Sequence, residues 1–185
     1  MQTALKKEQH YTYSDYCTWD DGERWELIAG VAYAMSPGAS FAHQSVNVAL
    51  LTQISNYLQG KSCKVFTAPF DVRLNADTDD DTVVQPDILV VCDPSKFHPK
   101  GIVGSPDFVI EILSPSTEKH DRNTKFRLYQ RHGVREYWIV DPSSETVSIN
   151  TLNSGKYITQ LHFKEETVHV NVLEGCAIDL RKVFD

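Results

Sequence analysis

No apolar run in the chain approaches the roughly 20 residues needed to cross a bilayer, so no membrane span is expected. The opening MQTALKKEQH lacks the apolar core of a secretory leader, and a cytoplasmic protein is the expectation. Cysteine is sparse: Cys17, Cys63, Cys92 and Cys176 lie far apart, with no C-x-x-C pair. That spacing excludes a zinc knuckle and offers no disulfide framework, so reduced and mostly packed thiols are expected. Basic residues are in the minority, 18 Lys and Arg against 25 Asp and Glu, for a net charge of −7. Coating nucleic acid through bulk charge is thereby excluded, because that mode needs many cationic contacts to phosphate. Low-complexity tracts and internal repeats are also missing, and 41% hydrophobic with 23% charged residues is the composition of an ordinary folded chain. A length of 185 residues suits one domain, 1–185, with a substantial core.

What is present is concentrated in residues 83–114 and the helix expected after them. Two apolar strands, VVQPDILVVC and PDFVIEILS, each carry one acid. Side chains alternate faces along a strand, so Asp87 shares a side with Gln85, Leu89 and Val91, and Glu111 shares one with Val109 and Leu113. Each acid interrupts an apolar face. A buried carboxylate neutralises, pairs or binds a cation, and two on adjacent strands raise each other's pKa unless something positive sits between them. A divalent metal is the simplest such group.

Residues 118–132, EKHDRNTKFRLYQRH, contain no Gly or Pro and are followed by Gly133, which predicts a helix with a left-handed terminator. Asp121, Lys125, Tyr129 and His132 fall on one stripe of it. Between Glu118 and Arg135 there are six basic residues (Lys119, Arg122, Lys125, Arg127, Arg131, Arg135) against Glu118 and Asp121. Such a run is either a solvated helix face or a phosphate-facing edge beside the acids.

Pro86-Asp87 followed by Glu111 on the next strand resembles the PD-(D/E)XK nuclease superfamily. That motif places its Lys two residues after the Glu, and here the position holds Leu113. The ordered run ERWELIAG, the His43 helix, VQPDILVV, VIEILSPST, the D-x-x-x-K-x-x-x-Y helix and REYWIVDP is similar to the Uma family of restriction-endonuclease-like proteins. In that family the Lys comes from the following helix, and Lys125 is the matching residue. The resemblance covers nearly the whole chain. It implies an α/β restriction-endonuclease-like fold, a mixed central sheet flanked by helices, with extra antiparallel hairpin strands near the C-terminus. It also brings in Glu26 as a further carboxylate, against the plainer reading of a solvent-facing strand Glu. His43 enters as a contact to phosphate or to Glu26, against the plainer reading of a packed histidine. Ala29 stands where the family has an acid.

Elsewhere, the segment 11–30 should begin with a short helix and turn at Asp21-Gly22 into a strand, and Gly30 should turn 25–28 into 31–35. A helix over 41–59 is supported by an inward stripe of Val46, Ala49, Leu50, Gln53, Ile54, Tyr57 and Leu58 and ended by Gly60. Phe66, Ala68, Phe70, Val72 and Leu74 alternate with polar residues as one strand. NADTDDD is read as a solvated hairpin tip, since Thr82 and Ile88 stand where an EF-hand needs Gly and Glu. DPSKFHPKGIVGSP, with Lys96, His98 and Lys100, reads as a loop with a weak substrate role. The strands after 145 either extend the sheet or form a dimer edge.

The chemistry this implies is hydrolysis of a phosphodiester in nucleic acid, double-stranded DNA being the expected substrate and RNA the alternative. Asp87 and Glu111, with the Ile112 carbonyl by resemblance, would hold Mg2+ or Mn2+. Lys125 would act as the catalytic cation, Gln85 would position water or phosphate, and Asp121, Tyr129 and Arg122 would support Lys125 or substrate. From a different class, a catalytically silent DNA-binding or assembly module keeping the same fold remains the alternative. A two-fold homodimer would suit cutting both strands of a duplex.

Overall fold

The computed structural model describes residues 9–35 and 38–185. Among them, two six-stranded sheets and one two-stranded sheet are formed. A short helix α1 (Tyr13–Tyr16) is closed at its start by a reciprocal capping box between Thr12 and Asp15. Strands β1 (Trp25–Ile28) and β2 (Val31–Ala34) form a hairpin whose two turn residues, Ala29 and Gly30, both have positive φ. Positive φ at both positions is the type I′ form of a two-residue loop, whose twist matches that of its strands. A side chain at Gly30 would collide with the His10 ring. Helix α2 (Phe41–Leu58) begins where the Ser40 hydroxyl accepts the His43 N–H. It buries Val46, Leu50, Ile54 and Leu58 in a single stripe, each worth about 1.5–3 kcal/mol relative to exposure.

Next come β3 (Lys64–Thr67), β4 (Val72–Arg73), β5 (Val83–Val84) and β6 (Ile88–Val91). Together they make one antiparallel ribbon that changes sheets. Its base, β3 with β6, belongs to the sheet ordered β12-β11-β10-β9-β6-β3. Its outer half, β4 with β5, belongs to the sheet ordered β2-β1-β5-β4-β8-β7. The crossings fall at Ala68-Pro69 and Gln85-Pro86. This corrects two expectations: neither 66–74 nor 83–92 is one strand. The polar/apolar alternation of 66–74 continues through Pro69, and apolar residues flank Gln85-Pro86-Asp87 on both sides, but a proline has no N–H to continue a ladder.

A hairpin follows, β7 (Phe97–His98) with β8 (Gly101–Val103), which joins the first sheet where a loop was expected. Strand β9 (Phe108–Ile112) pairs with β6 antiparallel and with β10 (Glu136–Asp141) parallel. The parallel pair requires a crossover, supplied by a π-helical segment, His120–Lys125, that runs into α3 (Phe126–Arg131). The long hairpin β11 (Thr146–Asn153) and β12 (Lys156–Phe163) extends this second sheet, leaving β12 at its edge. Strands β13 (Thr167–His169) and β14 (Ala177–Asp179) pair with each other.

The central strands of the second sheet, β6, β9 and β10, are buried on both faces, as their continuous apolar sequences require. Ile88, Val90, Ile110 and Trp138 pack under α2 and the C-terminal segment. Leu89, Val91, Val109 and Tyr137 pack against α3 and the first sheet. Cys63 and Cys92 are joined in a disulfide, which corrects the expectation of four reduced thiols; Cys63, Cys92 and Cys176 are packed against or within the core as expected, and Cys17 is exposed. The β3–β6 register, Lys64↔Val91, puts Cys63 directly opposite Cys92 one step further on. The expected solvated tip is also corrected in part: Asp81 is buried and accepts hydrogen bonds from Asn75 and Thr82.

Candidate functional site

The site lies in the seam between the two large sheets. Extending the Ile88↔Ile110 register by one residue sets Asp87 opposite Glu111. Asp87 Oδ2 accepts the Ile112 N–H at 2.8 Å and lies 3.1 Å from His43 Nε2 on α2. Burial opposes protonation of His43, but the Asp87 carboxylate raises its pKa on balance.

The crossover helix delivers a cation to the opposite side of Glu111. Lys125 Nζ lies 2.9 Å from Glu111 Oε1, 3.0 Å from Glu26 Oε1 and 3.8 Å from Asp121 Oδ1. The side chains of Lys125, Glu111 and Glu26 are each 5% exposed or less. Tyr129 donates to Glu111 Oε1 at 2.7 Å from beneath, and the Tyr137 hydroxyl donates to the Asp121 carbonyl. Glu26 also accepts the Gln85 N–H, so the solvent-facing reading of this residue is wrong. Next to it, His120 Nε2 is buried with no hydrogen-bond partner, 3.9 Å from Glu26 Oε2, and its ring packs on Tyr33. Burial and the Lys125 charge lower the His120 pKa, so this imidazole stays neutral.

Three carboxylates thus surround one ammonium, with a fourth, Asp87, beside them on His43. Burial alone would strip the proton from Lys125, but Glu111, Glu26 and Asp121 hold its pKa well above the usual lysine value. At about 3 Å and an effective dielectric near 20 each such attraction is roughly 5 kcal/mol, enough to keep the ion in place. The surplus acid carries the strain. Burial, then Asp121, Asp87 and Glu26, push Glu111 well above the carboxylate range against the pull of Lys125. Asp121 is raised to about 6, mainly by burial.

A cleft of about 280 Å³ opens onto Glu26, Gln85, Asp87, Glu111, Asp121 and Lys125, with His43 and Ile112 also on its wall. Sequence reasoning named all of these. Tyr129 sits behind the cleft rather than in it. Arg122 turns outward to Glu118 and Asp141, and His132 lies off the stripe it was expected to share with Lys125. Residues missed from the sequence are Arg24, Asp71, Tyr16 and His120. Arg24 donates twice to the Gln85 carbonyl, at 2.6 and 3.1 Å, while the Gln85 amide donates to Asp71 and Tyr16. The available signal was period two: Arg24 precedes Glu26 on the same strand face.

The donor set fits a hard divalent cation. Among the described residues no hydrogen bond is made to Asp87 Oδ1 or Glu111 Oε2, so each acid keeps an oxygen for a ligand. Nor do three acidic, histidine or cysteine side chains converge closely enough among them to hold an ion alone. An ion on two carboxylates would complete its shell with water, a backbone carbonyl or phosphate oxygen, as Mg2+ commonly does.

The profile of the Uma2 family, described as "Putative restriction endonuclease", matches residues 12–181. The chain belongs to the Uma2 family. A Uma2 relative in Synechocystis, "Uncharacterized protein slr1290", is 33% identical over 138 residues, covering 73% of this chain and 70% of that protein. In three dimensions the Uma2 chain is similar to the crystal structure of "a putative nuclease belonging to DUF820" from Anabaena variabilis. The TM-score is 0.75 at 18% identity, over 94% of this chain and 97% of that one, so the restriction-endonuclease-like fold is shared. The family is one of nuclease-like proteins, and among the described residues no helix is long and apolar enough to cross a membrane.

Proposed function

We propose that this Uma2 protein hydrolyses phosphodiester bonds of nucleic acid, DNA in the first instance, with Mg2+ or Mn2+. The observation that carries the reading is the buried Lys125 ammonium, fixed within about 3 Å of both Glu111 and Glu26 and opposite Asp87, in an open cleft. Asp87 and Glu111 would hold the ion, with the Ile112 carbonyl as a further ligand. When bound, the ion would lower the pKa of a coordinated water and offset phosphate charge. Lys125 keeps its proton, so it acts as a donor to the attacking water and to the phosphate oxygens as their charge grows, not as a base. Glu26, Asp121 and Tyr129 fix where that ammonium can point. His43 and the Ile112 N–H orient Asp87 through Oδ2, leaving Oδ1 for the ion. Gln85 and Arg24 form the mouth where the substrate backbone would enter.

The first test needs no substrate. Titration of Mg2+ and Mn2+ by calorimetry into the low-millimolar range should show binding to the wild type and its loss in Asp87→Asn. Equal heats from the two proteins would remove Asp87 from the site. Silence from both, with nucleic acid present as well, moves the reading to a binding module that keeps the fold.

Cutting both strands of a duplex would suit a two-fold pair, and we place its contact at the β12 edge. Ile158, Leu161 and Phe163 stand more than half exposed there, beside the strand's unpaired backbone. Leu161→Lys should shift sedimentation towards monomer; an unchanged sedimentation coefficient rules out this edge.

A further inference from the structure

A second cleft, about 400 Å³, adjoins the first, with Arg24 and Gln85 lining both. That volume lies within the range of small-molecule sites, about 300–1,000 Å³. Its wall carries four aromatic rings, Tyr13, Tyr16, Trp19 and Trp25, with Glu23, Asp71 and Lys100 among the polar groups beside them. Trp19 packs edge-on at 5.5 Å from Tyr16 and 5.8 Å from Trp25, and the Trp25 indole N–H is held by Asp21. These rings are only half-buried, although together they would make a core in most proteins.

The polar groups at the junction differ in what they leave open. Asp71 Oδ1 accepts from both the Tyr16 hydroxyl and the Gln85 amide, so this acid is engaged. Arg24 is held by the neutral Gln85 carbonyl, and among the described residues neither Arg24 nor Lys100 at the cleft wall forms an ion pair. A guanidinium without a carboxylate, set between a catalytic cleft and an aromatic one, is matched to a phosphate.

We infer that the aromatic cleft is a stacking subsite for an unpaired nucleobase of the substrate strand. The phosphate joining that nucleotide to the scissile one lies on Arg24. This rests on the phosphodiesterase reading and narrows it: the preferred substrate presents a single-stranded, frayed or flipped nucleotide beside the bond to be cut. A fully stacked duplex cannot place a base in the cleft without first unstacking it, which costs free energy. Stacking on rings is tolerant of base identity, so this subsite selects for strandedness more than for sequence.

Tryptophan emission reports directly on the cleft, because Trp19 and Trp25 line it while Trp138 is fully buried in the core. The probe is a short oligothymidylate, compared with a blunt duplex of equal length, at low salt and in EDTA so that nothing is cut. Single strand should quench the wild type, and duplex should quench it far less. Trp19→Leu should weaken single-strand binding by about five- to 150-fold, the range expected from losing one stacked base. Trp19→Phe, which keeps a ring, should retain most of the affinity and controls for folding, as does an unchanged far-ultraviolet circular dichroism spectrum.

No quenching by single strand, or equal affinity in a folded Trp19→Leu, overturns the subsite. Failure of the parent reading is distinguishable. Quenching that Trp19→Leu abolishes, in a protein that cuts no nucleic acid with Mg2+, keeps the subsite and removes hydrolysis. Single-strand cleavage at unchanged kcat/KM in Trp19→Leu keeps hydrolysis and removes the subsite.

Discussion

Lys125→Met is expected to abolish cleavage of any nucleic acid the wild type cuts, by a factor of about 10³ or more, while leaving Mg2+ binding in place. One preorganised donor to a developing oxyanion is worth about 10²–10³ in rate, and Lys125 additionally cancels part of the local negative charge that would repel phosphate. Asp87 and Glu111 are untouched by the change, so calorimetric binding should persist, although Glu111 loses the charge that helps to ionise it and must release a proton on taking up the ion. Stability should fall by about 3–5 kcal/mol, the usual cost of removing one partner from a buried ion pair. Part of that loss is expected to return in Glu26→Gln/Lys125→Met, because Glu26 is 1% exposed and would otherwise be stranded without a counter-ion. Cleavage within about tenfold of wild type in a folded Lys125→Met, a margin far below the effect expected for such a donor, would remove Lys125 from the chemistry.

Asp121→Asn is expected to change how stability depends on pH. The folded-state pKa of Asp121 is raised from 3.8 to about 6, chiefly by burial. Folded protein therefore holds a proton that the unfolded chain releases at lower pH. The contribution of this group falls as pH rises from about 4 to about 6 and is level above that. At about 1.4 kcal/mol per unit, the shift amounts to roughly 3 kcal/mol. The stability of Asp121→Asn relative to wild type should rise by that amount between pH 4 and pH 7, measured by urea denaturation without divalent ions. The same relative stability at both pH values would show that the acid is ionised throughout. A divalent cation in the cleft would add to the Lys125 charge that already opposes this shift, so the pH effect should shrink when Mg2+ is bound.

The two strand acids were legible because an acid on an apolar strand face has few explanations, and the Uma resemblance supplied the Lys from the next helix. Glu26 was not decided, since a strand Glu gains its meaning only from the Lys125 that folds onto it. Arg24 gave less still: its importance comes from Gln85, 61 residues away. The crossover helix was legible as a helix but not as a π-helical turn, for the stretch has no Gly or Pro to announce one. Pairing i with i+5 instead of i+4 alters the phase. Asp121, Lys125 and Tyr129 still converge while His132 falls off the line. The disulfide was hidden because it depends on the β3–β6 register, which no local pattern encodes.

The ribbon that changes sheets at Pro69 and Pro86 divides the protein into parts that can vary separately. Asp87 is anchored to the sheet that carries Glu111, while the ribbon's outer half and the hairpin beyond it belong to the sheet bordering the aromatic cleft. Exchanging the 94–104 segment, which brings Lys100 to the aromatic cleft, would remodel the approach to the site without moving the acids relative to each other. Members of the family can therefore diverge in what they admit while keeping one fixed arrangement for what they do with it.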